Sequence, residues 1–206
     1  NRASRANQVP TLQGLAEAAA LTGVQWERHF GPVLVLVLEA LPSRGGDMEA
    51  RRAAVGCLAA LIQYQAPLFH DFAEMVAGRL LDNFKIVRAA DGGQDLEQRI
   101  QDSLQTLLDS ISPVRGLDLL RPAVNMVAQE REGLVWKPAL LQVVVALLTR
   151  SLRRIDQAGL GEQLPLTLPP LVEAFNDPNP EVRQAVVLCL ADMYLIFGES
   201  FMGALV

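Results

Sequence analysis

Apolar residues recur along this chain at helical spacing, in stretches separated by short polar turns. Near its C-terminal end Val182, Val186, Leu190, Met193 and Phe197 fall where one face of a helix would place them. The segment just before them, Asn176-Asp177-Pro178-Asn179-Pro180-Glu181, reads as a turn followed by a helix start. Asn179 is placed to cap the first turn, and Pro180 suits the first helical position, where its missing N–H leaves nothing unsatisfied. The same reading predicts helices over residues 9–22, 25–41, 47–64, 67–85, 94–111, 113–128, 134–155, 161–175 and 179–197. Residues 1–8, polar and carrying Arg2 and Arg5, are expected to form a flexible tail. The connections hold turn-forming residues: Pro42 to Gly46, Asp91-Gly92-Gly93, Arg131-Glu132-Gly133 and Asn176 to Asn179. Val33 to Leu38 has the β-propensity of a buried strand. A helix is expected there because the apolar pattern runs on through Ala40-Leu41 and no partner strand is visible.

The predicted helices pair, and the pairs repeat. A basic residue sits a few positions into the second helix of each pair: Arg51, Arg99, Lys137 and Arg183, at spacings of 48, 38 and 46. A loose period of that length is the mark of HEAT-like repeats. Pro32, Pro122, Pro165, Pro169 and Pro170 fall in or near first helices, where proline removes a hydrogen bond and bends the axis. Four pairs follow one unmated helix, 9–22, whose apolar face would otherwise be exposed. Its mate is expected just before a fragment that opens at Asn1 without Met and stops in an apolar segment. The expected fold class is all-α, an α-solenoid of HEAT-like helical hairpins, with residues 9–206 as a single domain.

Composition narrows the function. Half of the residues are hydrophobic but only 5% are aromatic, which suits helix-on-helix packing with small and medium side chains. The net charge of -5 implies no basic surface for duplex nucleic acid. Cys57 and Cys189 sit far apart in apolar runs, as buried small hydrophobes in a reducing compartment. The longest apolar runs are too short to cross a membrane.

No catalytic, metal or cofactor constellation is visible. His29 and His70 are 41 residues apart, with no Cys or acidic residue at ligand spacing. Gly45-Gly46 and Gly92-Gly93 lack the Lys-Ser/Thr that completes a phosphate loop. Glu27, Glu49, Glu97 and Glu181 fall in first turns, where the helix dipole accounts for them. The chain therefore reads as a non-enzyme. The turns between paired helices would line one edge, where a stacked array places its binding residues. The candidates there are the basic loop residues Arg44, Lys85, Arg88 and Arg131, which read either as solvated charge or as a strip for an acidic partner. Trp26, four residues before Phe30, reads either as a core plug or as a hydrophobic anchor for a partner. Trp136 presents the same choice.

Several motifs carry a family resemblance: Leu21-Thr22 with Trp26-Glu27-Arg28-His29-Phe30 and Val33 to Leu41; Leu108-Asp109-Ser110-Ile111-Ser112-Pro113 with Leu119-Leu120-Arg121-Pro122; Leu168-Pro169-Pro170-Leu171; and Asn176-Asp177 with Glu181 to Leu190 and Phe197-Gly198-Glu199. In this order the chain resembles the carboxy-terminal domain of the CLASP family of CLIP-associated microtubule regulators, from about residue 9 to about residue 204. Asp82 to Gln98 and Ser43 to Asp47 depart from the family pattern. The resemblance implies a TOG-like HEAT array that docks CLIP-type plus-end proteins, a kinetochore kinesin and cortical or Golgi adaptors. Self-association is also implied. So is a cytoplasmic, cytoskeletal location at microtubules, plus ends and the spindle, without membrane, nucleic acid or cofactor. Two alternatives stand beside it: a TOG domain binding tubulin directly, and a HEAT scaffold of an unrelated complex. Tubulin binding in TOG arrays uses an aromatic in the first loop and basic residues in later loops. Here no aromatic precedes Trp26, and the turn from Asn176 to Pro180 contributes no basic group.

Overall fold

The computed structural model of the chain describes residues 8–21, 23–41, 47–90, 93–198 and 201. Among them are nine α-helices and no strand: α1 (Gln8–Ala19), α2 (Trp26–Glu39), α3 (Met48–Tyr64), α4 (Ala73–Arg88), α5 (Gln94–Ser110), α6 (Pro113–Ala128), α7 (Trp136–Leu152), α8 (Gln157–Phe175) and α9 (Pro180–Phe197). The expected tail lies outside the described residues, apart from Gln8, which opens α1. The all-α, HEAT-like reading is borne out. Val33 to Leu38 lies within α2, with Leu34, Val37 and Leu38 buried.

Helix starts follow their capping chemistry. Asn179 accepts the Glu181 N–H at 2.8 Å, with Pro180 opening α9. Ser112 caps α6 ahead of Pro113, and Asp47 caps α3. Asp156 caps α8 by accepting the Gly159 N–H at 2.8 Å. This helix starts at Gln157, four residues before the expected 161, because the Asp156 cap sets its first turn, with Gly159 and Gly161 inside the helix. A Cβ on Gly159 would lie 2.9 Å from the capping oxygen, so the glycine leaves room for the cap. The expected helix 67–85 is two elements. A 3-10 segment, Ala66–Phe72, with Pro67 in its first turn, leads into α4, which runs on to Arg88.

The residues form two compact units, one ending at Ser110 and the other beginning at Ile111. In the first, α3 packs between α1 and α5, and α4 pairs with α5. The buried residues of α1, Leu12 and Ala19, thus lie on the helix that α3 packs against. The end of α1 is also tied down, because Gln65 Nε2 donates to the Ala19 carbonyl at 2.9 Å. Phe30 of α2 meets Phe69 edge-on, with ring centroids 4.9 Å apart, and lies 5.7 Å from the Phe72 ring. Leu34, Leu58, Leu61, Leu80, Phe84 and Ile100 are sealed from water. Each such side chain stabilises the unit by about 1.5–3 kcal/mol of transfer free energy.

In the second unit, α6 and α7 form one hairpin and α8 and α9 the next. The hairpins stack α6 on α8 and α7 on α9, which buries Leu117, Val124, Leu140, Val144, Leu160, Leu171, Val182 and Val186. Pro122 and Pro165, Pro169 and Pro170 sit inside the first helices of these two hairpins, and Pro32 inside α2. The prolines predicted for first helices are therefore where the repeat places them.

Candidate functional site

The turns within hairpins form the edge from which a HEAT-type array presents itself. In the second unit a buried lysine builds that edge. Lys137, in the first turn of α7, donates from Nζ to the Glu130 carbonyl at 2.9 Å and lies 3.3 Å from the Asp177 carboxylate. It thereby joins the α6–α7 turn to the α8–α9 turn. Asp177 also accepts the Asn179 N–H at 2.9 Å. Arg183 Nη1 donates to the carbonyls of Asp177 and Pro178 at 2.9 and 2.8 Å. The charges of Lys137 and Arg183 are thus used inward, on the turn itself.

The first unit repeats the device with different chemistry. Arg51 of α3 is 1% exposed and donates to the Asn83 side chain on α4, while Asn83 Nδ2 donates to the Arg79 carbonyl at 2.8 Å. Burial lowers the Arg51 pKa from its ordinary value. In the following hairpin the sign inverts. Arg99, picked out by the repeat spacing, is exposed and pairs with Asp95 one turn earlier on its own helix, at 3.3 Å. The residue placed like Arg51 and Arg183, three after the start of its helix, is Glu97, which is buried and held by Arg88 at 3.1 Å. Sequence reasoning explained Glu97 by the helix dipole and missed this role. The signal available was its position in the helix, which the period marked only for a base.

The predicted site residues separate. Arg44 lies outside the described residues. Lys85 and Arg88 were expected in a loop, but both lie in the last turn of α4, which extends three residues beyond the predicted end. Lys85 pairs with Asp82 at 3.5 Å, and Arg88 is the partner of Glu97. Arg131 is exposed in the α6–α7 turn, between Glu130 and Glu132. Val135, at the end of that turn, is 71% exposed. Sequence reasoning passed over Val135 because a lone apolar residue in a turn carries no periodic signal. Trp26 is 5% exposed and packs as a core plug, so it presents no ring to a partner; its Nε1 finds no acceptor among the described residues. Trp136 is half-buried at the start of α7.

Reactive chemistry is not assembled among the described residues. No group of three His, Cys, Asp or Glu could hold a metal ion, and no helix is long and apolar enough to cross a membrane. Burial pushes the thiols of Cys57 and Cys189 up to about 11, which keeps them protonated. An open groove of about 440 Å³ runs between α3 and α5, floored by Gly56, Ala59 and Ala60. The hydroxyls on its wall are satisfied within α5: Ser103 donates to the Arg99 carbonyl at 2.7 Å and Thr106 to that of Asp102 at 2.8 Å.

Comparison with known proteins agrees with this geometry. The HEAT repeat model matches residues 167–197, which hold the C-terminal half of α8, the Asp177 turn and all of α9. The chain is 28% identical over 192 residues to a CLIP-associated protein of Arabidopsis thaliana, covering 93% of this chain and 12% of that protein. It is 26% identical over 175 residues to CLIP-associating protein 1 of Xenopus tropicalis, covering 85% of this chain and 11% of that protein. This chain is similar to the CLIP-associated proteins. The CLASP resemblance read from Trp26, the Ser-Ile-Ser-Pro turn and the Asn176 turn is borne out. The chain spans about an eighth of the length of the CLIP-associated relatives it matches.

Proposed function

We propose that this chain is a non-enzymatic docking module of a CLASP-like, microtubule-associated regulator, a TOG-like domain spanning residues 9–206 and equivalent to the carboxy-terminal domain of that family. Its partners are CLIP-type plus-end proteins, a kinetochore kinesin and cortical or Golgi adaptors, and its place is the cytoplasmic cytoskeleton. The observation that carries this reading is the use of the edge cations. Lys137, Arg183, Arg51 and Arg88 are all bonded within the fold, and Lys85 pairs with Asp82. Cations committed within the fold of each unit are poorly placed to hold acidic tubulin, whereas a docking module needs no such strip. Arg131 beside the exposed Val135 is the feature that favours the rival reading, direct tubulin binding.

The two readings separate in one experiment. Purified chain is mixed at low salt with a CLIP-type fragment, and in parallel with free tubulin, and each mixture is run on a sizing column. Docking predicts co-elution with the CLIP-type fragment and separation from tubulin. Co-elution with tubulin, weakened by charge reversal at Arg131, would replace this reading with the rival one.

A further inference from the structure

We infer that the outer side of the hairpin α8–α9 docks an amphipathic helix of a partner protein, one with basic residues at both ends of its apolar stripe. This rests on the docking reading above and names the surface and the chemistry of its occupant. α9 is apolar on two sides. Val182, Val186, Cys189 and Met193 are buried, on the side where α9 packs against α7 and α8. On the opposite side of the same helix Val187, Leu188, Tyr194 and Leu195 are exposed, Leu195 at 80%. α8 repeats the pattern. Leu164, Leu171 and Ala174 are buried, whereas Leu166 and Val172 are exposed, with Pro165 and Pro169 exposed beside them. A surface helix ordinarily turns charged and polar residues to water. Two neighbouring helices that each turn a second apolar stripe outward make a surface suited to a partner.

Charge defines the helix that fits. Across residues 157–198 the acids Glu162, Glu173, Asp177, Glu181 and Asp192 stand against one cation, Arg183. Arg183 is turned onto the Asp177 and Pro178 carbonyls. Three of the acids are occupied: Asp177 by Lys137, Asp192 by Arg153, and Glu181 by Gln142, which donates to it at 3.0 Å. Glu162 and Glu173 are exposed, and neither pairs with a cation among the described residues. With Leu166 and Pro169 they follow one another along α8 at steps of 4, 3 and 4, so the four share one face. The two carboxylates therefore bracket the apolar stripe, about 16 Å apart along the helix axis.

The complementary partner is a helix with apolar anchors at i, i+3, i+4 and i+7 and a Lys or Arg at each end, spaced to meet both glutamates. A second copy of this chain fits poorly. Its own stripe is bracketed by the same two acids, and a two-fold contact would bring like charges together.

The test uses the folded chain and two fluorescent helix-forming peptides. One has a leucine stripe with arginines about eleven residues apart, roughly three helical turns; the other has glutamates in place of those arginines. Anisotropy is expected to show binding of the arginine peptide alone. L188Q/L195Q, two changes at exposed positions, should weaken it by more than about tenfold. E162Q/E173Q should weaken it and flatten its salt dependence. The inference is overturned if the arginine peptide does not bind, if both peptides bind equally, or if L188Q/L195Q leaves the affinity unchanged. A parent chain that elutes as a dimer, and becomes monomeric in L188Q/L195Q, also overturns it by putting a second copy on this surface. The docking reading fails separately. A CLIP-type fragment retained by the L188Q/L195Q chain as well as by the parent keeps that reading and removes this surface from it. Loss of the CLIP-type fragment with the arginine peptide still bound does the reverse.

Discussion

Lys137 Nζ lies 3.3 Å from the Asp177 carboxylate, and both side chains are almost wholly shielded from water. The pair joins two turns from neighbouring hairpins, so its removal acts on the stacking of repeats as well as on one contact. Replacing one member leaves the other charge buried and unpaired, which costs about 3–5 kcal/mol. K137M should therefore lower the urea midpoint of the chain sharply. D177N should cost less, because an amide still accepts the Asn179 N–H. A K137M midpoint within error of the parent would mean that the pair does not hold the turns together.

Asn83 supports a buried cation. It accepts from Arg51, and its own Nδ2 is spent on the Arg79 carbonyl. Hydrogen bonds to charged groups contribute about 1.5–3 kcal/mol, so N83A is expected to destabilise the chain by that order. N83D should be tolerated better than N83A because it supplies the buried guanidinium with a carboxylate. Denaturant midpoints of the two variants decide the order.

Two glycines two residues apart in α8 should respond in opposite directions. A Cβ at Gly161 meets nothing within 4 Å, so G161A should stabilise the chain by about 0.5–1 kcal/mol through helix propensity. A Cβ at Gly159 would sit 2.9 Å from Asp156 Oδ1 and 3.0 Å from Ile155 Cγ2, so G159A should disturb the cap and destabilise. Thermal midpoints of the pair check the sign. Removal of the cap by D156A should cost about 1 kcal/mol.

These glycines also mark how far sequence carries. Asn179 and Pro180 announced a helix start because capping is local chemistry, complete within four residues. The Asp156 cap is equally local, but the expected helix began only at 161, and the crowding at Gly159 shows why a glycine belongs inside the first turn. Lys85 and Arg88 were expected in a loop, but the helix runs on through the buried Val87 to Arg88, which reaches Glu97 nine residues along. The partners of Arg51 and Lys137 lie 32 and 40 residues away, so periodicity marked these cations without revealing that they point inward. The same limit left Trp26 open between core plug and anchor until its burial was in view.

The buried thiols predict a dependence on alkaline pH. Cys57 and Cys189 titrate near 11 in the folded chain, against an ordinary value of 9.0. Below pH 9 the thiols are protonated in both folded and unfolded chain and contribute no slope. Between pH 9 and 11 the unfolded chain ionises first, so stability falls as pH rises through that window. The C57A/C189A variant, though weakened by its cavities, should show a shallower fall. Equal slopes for parent and variant between pH 9 and 11 would remove the thiols from the account.

If the cations of Lys137, Arg183, Arg51 and Arg88 serve the fold, the domain should dock proteins without gripping tubulin. Binding of the purified chain to free tubulin and to a CLIP-type fragment, measured side by side at low and at physiological salt, tests it most directly. The CLIP-type fragment should be retained at both salts, and no complex with tubulin should form. A salt-sensitive tubulin complex, lost on charge reversal at Arg131, together with no retention of the CLIP-type fragment, would contradict it.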